Sequence, residues 1–425
     1  MATQKECFVY IQLPGSVKSV VCGRFTWESI RHGAAIGRFF YGRQYRARHD
    51  AVPIDPIHLP LSTEIFETTK LEGVFGALRD AAPDAWGRRI IERFAAQGEI
   101  DEMEYLLQSP QDGAGALTFG RGNVPPGPSH KFNRVVKLDE LRKAARIIET
   151  QSINAPISPQ LLELLRPGTS LGGARPKNVV EDDDGLWIAK FPQQGDRWNS
   201  AVVEAAMLKL AGYCGIRVPA TRIEWVDGEA ILLVKRFDRE RLTPSDPASP
   251  YLRYRMVSAL TVLDADESPT DLTNWSYVNL SDELRRWSSK IPEDRLELFR
   301  RVAFNCLISN VDDHPRNHAL IAPRQAWQLA PAFDLTPNPR QGQDERRLAM
   351  ECGSFGRVAR RDNLLSQAGH FGLQKDEANE IIDSIRDTIG RSWRDEVLRQ
   401  GGNVRDCETV AAAFTYPGFE YTTQL

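Results

Sequence analysis

The stretch ISNVDDHPRNHALI, residues 308–321, decides how the rest of the chain is interpreted. It sets two aspartates, two histidines, one arginine and two asparagines between apolar flanks. One explanation is a polar turn that caps a helix, because Asp and Asn favour turns and caps. A second is a zinc site through His314 and His318. These two side chains would share a face only on a helix, and Pro315 disfavours a helix there.

A third explanation comes from the spacing of Asp312 and Asn317. In protein kinases, a loop of the type D-x-x-x-x-N directs its Asp at the substrate hydroxyl and its Asn at Mg²⁺. Asp334 follows Asn317 by 17 residues in PAFDLTP, after a short apolar strand, where a kinase has its second metal-binding carboxylate. The stretch therefore predicts a catalytic loop in which Asp312 orients the acceptor hydroxyl.

The segments before this loop carry, in order, the other groups that a phosphotransferase needs. The loop SLGGARPK (170–177) has two glycines that let the backbone approach phosphate oxygens, although a flexible hairpin turn is the commoner reason for an isolated Gly-Gly pair. Lys190 ends the apolar strand LWIAK, and Glu204 in the helix AVVEAAMLKLA is its natural ion-pair partner. The ordinary alternatives, a strand-end lysine and a helical glutamate that both reach water, stay open.

The order of the predicted elements gives the fold class. CFVYIQL and SVVCGRFTW predict two strands joined by a turn, and IGRFFYGRQYRAR predicts another strand pair. Residues 177–240 predict two strands, a helix and a hairpin around an Asp-Gly turn, and a mostly helical region follows. We expect an α+β, bilobal, protein-kinase-like fold with a mixed, β-rich N-terminal subdomain (1–125), a kinase N-lobe-like part (126–240) and an all-α C-terminal lobe (241–425).

Composition narrows the class of protein without identifying it. The 425 residues are 41% hydrophobic and 26% charged, with a net charge of −3, which gives no global electrostatic case for nucleic acid or membrane binding. No apolar run is long enough to span a bilayer, and the first residues lack the pattern of a signal peptide. Six scattered cysteines without a CxxC pair predict free thiols in a reducing cytoplasm.

Taken together, these motifs resemble the HipA family, the serine/threonine kinase toxins of bacterial type II toxin–antitoxin systems. SLGGARPK is similar to the family's S-x-x-G-x-x-x-K loop, WIAKFP to its lysine strand, VVEAAML to its glutamate helix and VKRFDR to its V-x-R-F-D-R segment. DDHPRN is similar to its D-x-H-x-K-N loop and FDL to its metal site. LPLS and GALRDAAPDAWGRRII resemble the N-terminal region of full-length members.

The resemblance implies ATP and Mg²⁺ as cofactors and a site built from these motifs. Asp312, Lys190 and Arg316 would form the catalytic group, and Asn317 and Asp334 would bind the metal. Ser170 falls on the serine whose autophosphorylation switches the family's kinases off. The residues that would lie at the nucleotide are Gly172, Gly173, Ala174, Lys177, Lys190, Glu204, Lys235, Phe237, His314 and Asn317. His314, like Asp313 and His318, would shape or flank the site. Within this set, the strand exit Lys235–Phe237 would supply the hinge that meets the adenine.

One departure and three partners also follow from the resemblance. Arg316 stands where the family usually has a lysine at the transferred phosphate, and Arg keeps the charge but changes the geometry. The implied partners are a small HipB-like helix-turn-helix antitoxin, DNA reached only through that antitoxin, and a protein substrate such as an aminoacyl-tRNA synthetase. A small-molecule kinase of the same fold, and a non-catalytic corepressor that binds nucleotide or antitoxin, remain alternatives.

Overall fold

A computed structural model of the chain describes residues 4–30, 34–94, 100–109, 112–127, 132–150, 158, 160, 164–165, 173–267, 272, 274–339, 345–414 and 416–421. The chain forms two compact units, each assembled from segments that are separate in the sequence. The first unit takes Met1–Gln193, Lys235–Thr261 and Leu320–Trp327, and the second takes Gln194–Val234, Val262–Ala319 and Gln328–Leu425.

Helices and strands are mixed along the chain, which confirms the α+β class. In chain order the strands are β1 (Gln4–Gln12), β2 (Ser19–Ser29), β3 (Ala35–Tyr41), β4 (Phe66–Thr68), β5 (Leu117–Gly120), β6 (Asn133–Arg134), β7 (Lys177–Asp182), β8 (Gly185–Lys190), β9 (Thr221–Val226), β10 (Glu229–Lys235), β11 (Arg239–Arg241), β12 (Tyr251–Arg253), β13 (Arg255–Ser258), β14 (Ala319–Ala322) and β15 (Gln328–Leu329). The helices are α1 (Arg43–Arg46), α2 (Gly76–Asp80), α3 (Ala85–Phe94), α4 (Glu102–Gln108), α5 (Leu138–Thr150), α6 (Ser200–Tyr213), α7 (Ala259–Val262), α8 (Tyr277–Trp287), α9 (Ile291–Leu307), α10 (Arg361–Ser366), α11 (Lys375–Arg399) and α12 (Val404–Val410).

The first unit begins with an antiparallel sheet in the order β4–β3–β2–β1–β5. In β3 every second residue from Ala35 to Tyr41 is buried, which is the alternation expected of a strand with one face on a core. Phe39 and Tyr41 pack edge to face there, with ring centroids 4.9 Å apart. The same unit holds the parallel pair β6–β7 and the antiparallel pair β7–β8, which carries two of the predicted site lysines.

The second unit is mainly helical. Helix α6 is buried around nearly its whole circumference, as its continuous apolar sequence requires, and Asn199 caps its first turn by accepting a hydrogen bond from the backbone of Val202 at 3.2 Å. Helix α11 packs against α6 and α9, and Tyr213 at the end of α6 donates to Glu396 of α11 at 3.2 Å. The β9–β10 hairpin turns at Asp227 and Gly228, both at positive φ, as its Asp-Gly sequence predicts.

Two expectations from the sequence are wrong, and a third lies mostly outside the described residues. The predicted second strand of IGRFFYGRQYRAR is wrong, because the chain leaves the sheet after Tyr41 and makes the short helix α1, which buries Tyr45 in a stack against Tyr41 with ring centroids 5.9 Å apart. The expectation of an all-α C-terminal region (241–425) is wrong, because this mostly helical region also contains the short strands β12, β13, β14 and β15. The segment ISPQLLELLRPG (157–168), whose sequence predicts an amphipathic helix, lies mostly outside the described residues.

No helix in the described part of the chain combines the length and the apolar character that a membrane span requires. All six cysteines are free thiols, as their spacing predicts. Burial raises the pKa of the Cys7 thiol to about 12, so the thiol stays protonated at neutral pH.

Candidate active site

The predicted catalytic loop leaves the end of α9 through a sharp backbone turn. Ser309 has a φ of 57°, in the left-handed region that residues other than Gly seldom adopt. Its hydroxyl donates to the carbonyl of Ala413 at 2.7 Å, and the backbone N–H of Asn310 donates to the carbonyl of Asn305 at 2.8 Å. These bonds hold the turn, so that the polar residues begin at a fixed position behind a buried helix.

Asp312 and Asp313 are neighbours in sequence but lie in opposite environments. Asp312 is exposed, whereas Asp313 is 1% exposed. One oxygen of Asp313, Oδ2, accepts hydrogen bonds from the Tyr277 hydroxyl at 2.5 Å, the Asn305 amide at 2.6 Å and His318 Nε2 at 2.7 Å. Asp313 is therefore the buried anchor of the loop, and this anchoring presents Asp312 to solvent.

Burial, with the Asp313 carboxylate beside it, raises the pKa of Tyr277 well above its usual value, so its hydroxyl remains a donor at neutral pH. Sequence reasoning gave Asp313 only a shaping role. The adjacent Asp-Asp pair was the available signal in the sequence.

Asn317 lies at the far end of the loop and has a buried side-chain oxygen that could bind a cation. Its backbone N–H donates to the His314 carbonyl at 2.9 Å, and its side-chain amide donates to the Asp312 carbonyl at 3.4 Å. The amide oxygen, Oδ1, is buried and accepts no hydrogen bond from the residues that the structure describes. A buried acceptor left without a donor costs free energy, and a bound cation would satisfy it.

Asp334, the predicted second metal ligand, is half-buried and has a φ of 59°. Left-handed Asp residues are uncommon, and strained backbone of this kind clusters at functional sites. An amide oxygen and carboxylate oxygens are the hard ligands that Mg²⁺ prefers, so Asn317 and Asp334 fit a magnesium ion chemically. Zinc ligation is unsupported, because His318 is bonded to Asp313 and the described residues hold no group of three His, Cys, Asp or Glu side chains suited to a metal.

The two remaining polar residues of the loop have different surroundings. His314 is half-buried and packs edge to face against Trp275, with ring centroids 6.4 Å apart. Arg316 forms an ion pair with Glu267 and is only partly exposed. In this structure the guanidinium that replaces the family's lysine is therefore held by a carboxylate of its own unit. Sequence reasoning did not single out Glu267.

Lys190 and Lys177 belong to the first unit. They are directly opposite each other in the antiparallel β7–β8 pair, so their side chains share one face of the sheet. Lys190 is half-buried at the end of β8. Lys177 is 3% exposed and forms an ion pair with Asp84, at 3.0 Å between Nζ and Oδ2. The lysine expected to contact nucleotide at the loop end is thus buried in an ion pair.

The predicted phosphate loop is described by the structure from Gly173 onward. Gly173 has a φ of 98°, which favours glycine, and Ala174 after it is exposed. The Lys177 ammonium donates back to the Gly173 carbonyl at 3.1 Å and so closes the turn. Ser170 and Gly172 lie outside the described residues.

The predicted hinge alternates between half-buried and buried positions. Lys235 and Phe237 are half-buried, and the Lys235 ammonium lies over the Trp187 ring, 4.7 Å from its centroid. Arg236 and Asp238 are buried and pair with each other at 2.8 Å, and Arg236 also pairs with Asp112 at 2.9 Å. The buried charges of VKRFDR therefore brace the first unit, and the hinge role of Lys235 and Phe237 stays a prediction.

Arg239 completes this buried cluster by pairing with Asp238 at 2.6 Å. Burial alone would raise the pKa of Asp238, but Arg236 and Arg239 outweigh it and hold that pKa well below its usual range. Glu204, on α6 in the second unit, is 6% exposed. Its pairing with Lys190 stays a prediction.

Two family models match this chain. The family described as the HipA-like C-terminal domain matches residues 169–393, and the family described as the HipA N-terminal domain matches residues 17–120. Y4mE of Sinorhizobium fredii (strain NBRC 101917 / NGR234), described as a candidate kinase, is 24% identical over 404 residues, which cover 88% of this chain and 90% of that protein.

Y4dM of the same organism, also described as a candidate kinase, is 27% identical over 247 residues, half of this chain and 52% of that protein. Among solved structures, HipA of Shewanella oneidensis MR-1, determined in complex with HipB and operator DNA, aligns with a TM-score of 0.69 at 18% identity. The alignment covers 96% of this chain and 95% of that one, and it shows a shared fold.

Proposed function

This chain belongs to the HipA family, and from that premise we propose that it is an ATP- and Mg²⁺-dependent protein serine/threonine kinase of the toxin kind. The observation that carries the proposal is the pairing of an exposed Asp312 with a buried, unsatisfied Asn317 oxygen on one anchored loop. The first group suits an acceptor hydroxyl, and the second suits a cation. The Asp and Asn of a kinase catalytic loop divide the work in this way.

Each residue of the site has a role that its surroundings support. Asp312 would accept a hydrogen bond from the substrate hydroxyl, orient it toward the phosphorus and take up its proton. Lys190 would bind phosphate oxygens of ATP, with Glu204 as its brace, and Arg316 would contribute positive charge at the transferred group. Asn317 and Asp334 would hold Mg²⁺, which when bound neutralises charge on the phosphates.

Partners and regulation are proposed from the family. The Shewanella oneidensis structure contains HipB and operator DNA. We propose a HipB-like antitoxin for this chain, with DNA contacted through it, and a translation component such as an aminoacyl-tRNA synthetase as substrate. Autophosphorylation at Ser170 would add nearly two negative charges beside the phosphate loop and so disfavour ATP there.

Phosphoryl transfer from radiolabelled ATP tests the proposal directly. Wild-type protein is incubated with Mg²⁺ and a lysate of its host, and labelled proteins are separated and identified by mass spectrometry. We expect labelling on serine or threonine of at least one host protein, and loss of that labelling with Asp312→Asn. Equal labelling by the two proteins would refute the role of Asp312, and label found only on small molecules would refute the protein-kinase assignment.

A further inference from the structure

The predicted phosphate loop is held by two residues of the segment DAW (84–86), which belongs to the matched HipA N-terminal domain. Asp84 pairs with the Lys177 ammonium at 3.0 Å, and the indole N–H of Trp86 donates to the Lys177 backbone carbonyl at 2.9 Å. Trp86 is 1% exposed, and the Asp84 and Lys177 side chains are 9% and 3% exposed. Both the side chain and the backbone of Lys177 are therefore fixed by buried groups of the matched HipA N-terminal domain.

Asp84 is itself fixed by the helix that it begins. Its Oδ1 accepts the backbone N–H of Gly87 at 2.8 Å, and its carbonyl accepts the N–H of Arg88 at 2.8 Å. One carboxylate oxygen thus caps the first turn of α3 while the other holds Lys177. Because the cap determines where the carboxylate lies, the position of Lys177 follows the position of α3.

The charges on this face of the sheet give the ion pair a second consequence. Lys177 and Lys190 are cross-strand partners, and like charges in that arrangement repel. Asp84 compensates the charge of Lys177, which in turn donates to the Gly173 carbonyl at 3.1 Å and closes the glycine turn. The Asp84–Lys177 ion pair therefore stabilises the loop conformation. It also gives the two lysines different functions, because Lys177 holds the loop while Lys190 would meet the nucleotide.

We propose that Asp84 is a positioning residue of the nucleotide site. Through Lys177 it fixes the turn from Gly173 to Lys177, and it leaves Lys190 as the lysine of this face that meets the nucleotide phosphates. The N-terminal domain thereby supplies part of the ATP-binding apparatus of the C-terminal domain. This inference rests on the proposed kinase function.

The test compares Asp84→Asn with a matched control, Asp101→Asn. Asp101 lies in the same unit, also caps a helix by accepting the backbone N–H of Glu104 at 3.0 Å, and also pairs with a lysine, Lys5, at 2.7 Å. Hydrogen–deuterium exchange of residues 173–190 is measured without nucleotide. Binding of a fluorescent ATP analogue, and the KM for ATP and kcat, are then measured in the same four proteins: wild type, Asp84→Asn, Asp101→Asn and Asp84→Asn/Lys177→Met.

We expect Asp84→Asn to increase exchange in residues 173–190 and to raise the ATP Kd and KM by roughly tenfold, the equivalent of about 1.4 kcal/mol, with kcat nearly unchanged. Asp101→Asn leaves all three readouts at wild-type values. The double variant also lacks the ammonium that donates to the Gly173 carbonyl, so it recovers neither the exchange protection nor the affinity. Because asparagine also caps helices, Asp84→Asn keeps the cap of α3 and tests the ion pair rather than the cap.

Two outcomes would overturn the inference, and they are distinguishable. Wild-type exchange and KM in Asp84→Asn, in a protein whose wild type binds and transfers phosphate, would refute the positioning role alone. A wild type that binds no ATP analogue would refute the proposed function, and the role of Asp84 would fall with it.

Discussion

The contrast between Asp312 and Asp313 yields the sharpest prediction, because substitution of the buried aspartate should lower stability and substitution of the exposed one should lower activity. Asp313→Ala removes the acceptor of three buried donors, on Tyr277, Asn305 and His318. A buried donor left unsatisfied costs about 1–3 kcal/mol, so the three sum to about 3–9 kcal/mol. Entry of water into the space would offset part of this cost, and we expect a loss of about 3–5 kcal/mol in the free energy of unfolding.

The matched substitution, Asp312→Ala, concerns an exposed side chain and should change the free energy of unfolding by no more than about 0.5 kcal/mol. Its effect falls on catalysis instead. Loss of a general base or of the group that orients the hydroxyl typically lowers the rate by about 10²–10⁴-fold. One residue should therefore control stability and its neighbour should control phosphoryl transfer.

Asp313→Asn provides an intermediate case. Its amide oxygen can occupy the place of Oδ2 and accept the same three donors as a neutral group, at a cost of about 1–2 kcal/mol. Differential scanning calorimetry and labelled-ATP transfer are measured on all three variants at pH 7. The reasoning fails if Asp313→Ala unfolds at the wild-type temperature, or if Asp312→Ala destabilises the protein as much as Asp313→Ala does.

Three further predictions follow from the described contacts. Asn317→Ala should weaken ATP binding in the presence of Mg²⁺ by about tenfold but leave binding in EDTA unchanged, as isothermal titration would show. Glu267→Gln breaks a partly exposed ion pair with Arg316, so the unfolding temperature should hardly change while the KM for the acceptor protein shifts. An unchanged KM would show that Arg316 does not contribute to binding of the acceptor protein. Asp238→Ala should cost about 3–5 kcal/mol at pH 7 because it leaves Arg236 buried without this partner. The pKa of Asp238 is lowered in the folded state, so its stabilisation is complete above about pH 4 and is lost as the pH falls further, and melting temperatures of wild type and variant should converge only in acid.

Much of this fold could be predicted from local sequence. Strand alternation, the Asp-Gly hairpin and the apolar helix around Glu204 all depend on residues near one another, and the structure has strands and helices there. The departure at Tyr45 shows the limit of such patterns. An aromatic-rich segment suits a strand or a helical turn equally, and packing against Tyr41 decides between them.

The candidate site, like the fold, could be predicted from the sequence only in part. The spacing of Asp312, Asn317 and Asp334 is visible in the sequence because a kinase loop needs those groups at short, fixed separations. Their roles, the three-part division of the chain and the two-lobed arrangement stay predictions.

By itself, the sequence determined which chemical groups are present, their order and the family to which the chain belongs. Motifs are local patterns, so they can be identified without knowledge of tertiary packing. Only the tertiary structure decided which of two adjacent aspartates is buried, since burial depends on elements that arrive from elsewhere in the chain. It alone brought Lys177 to Asp84, 93 residues away, and so placed a lysine that the sequence predicts at the nucleotide in a buried ion pair.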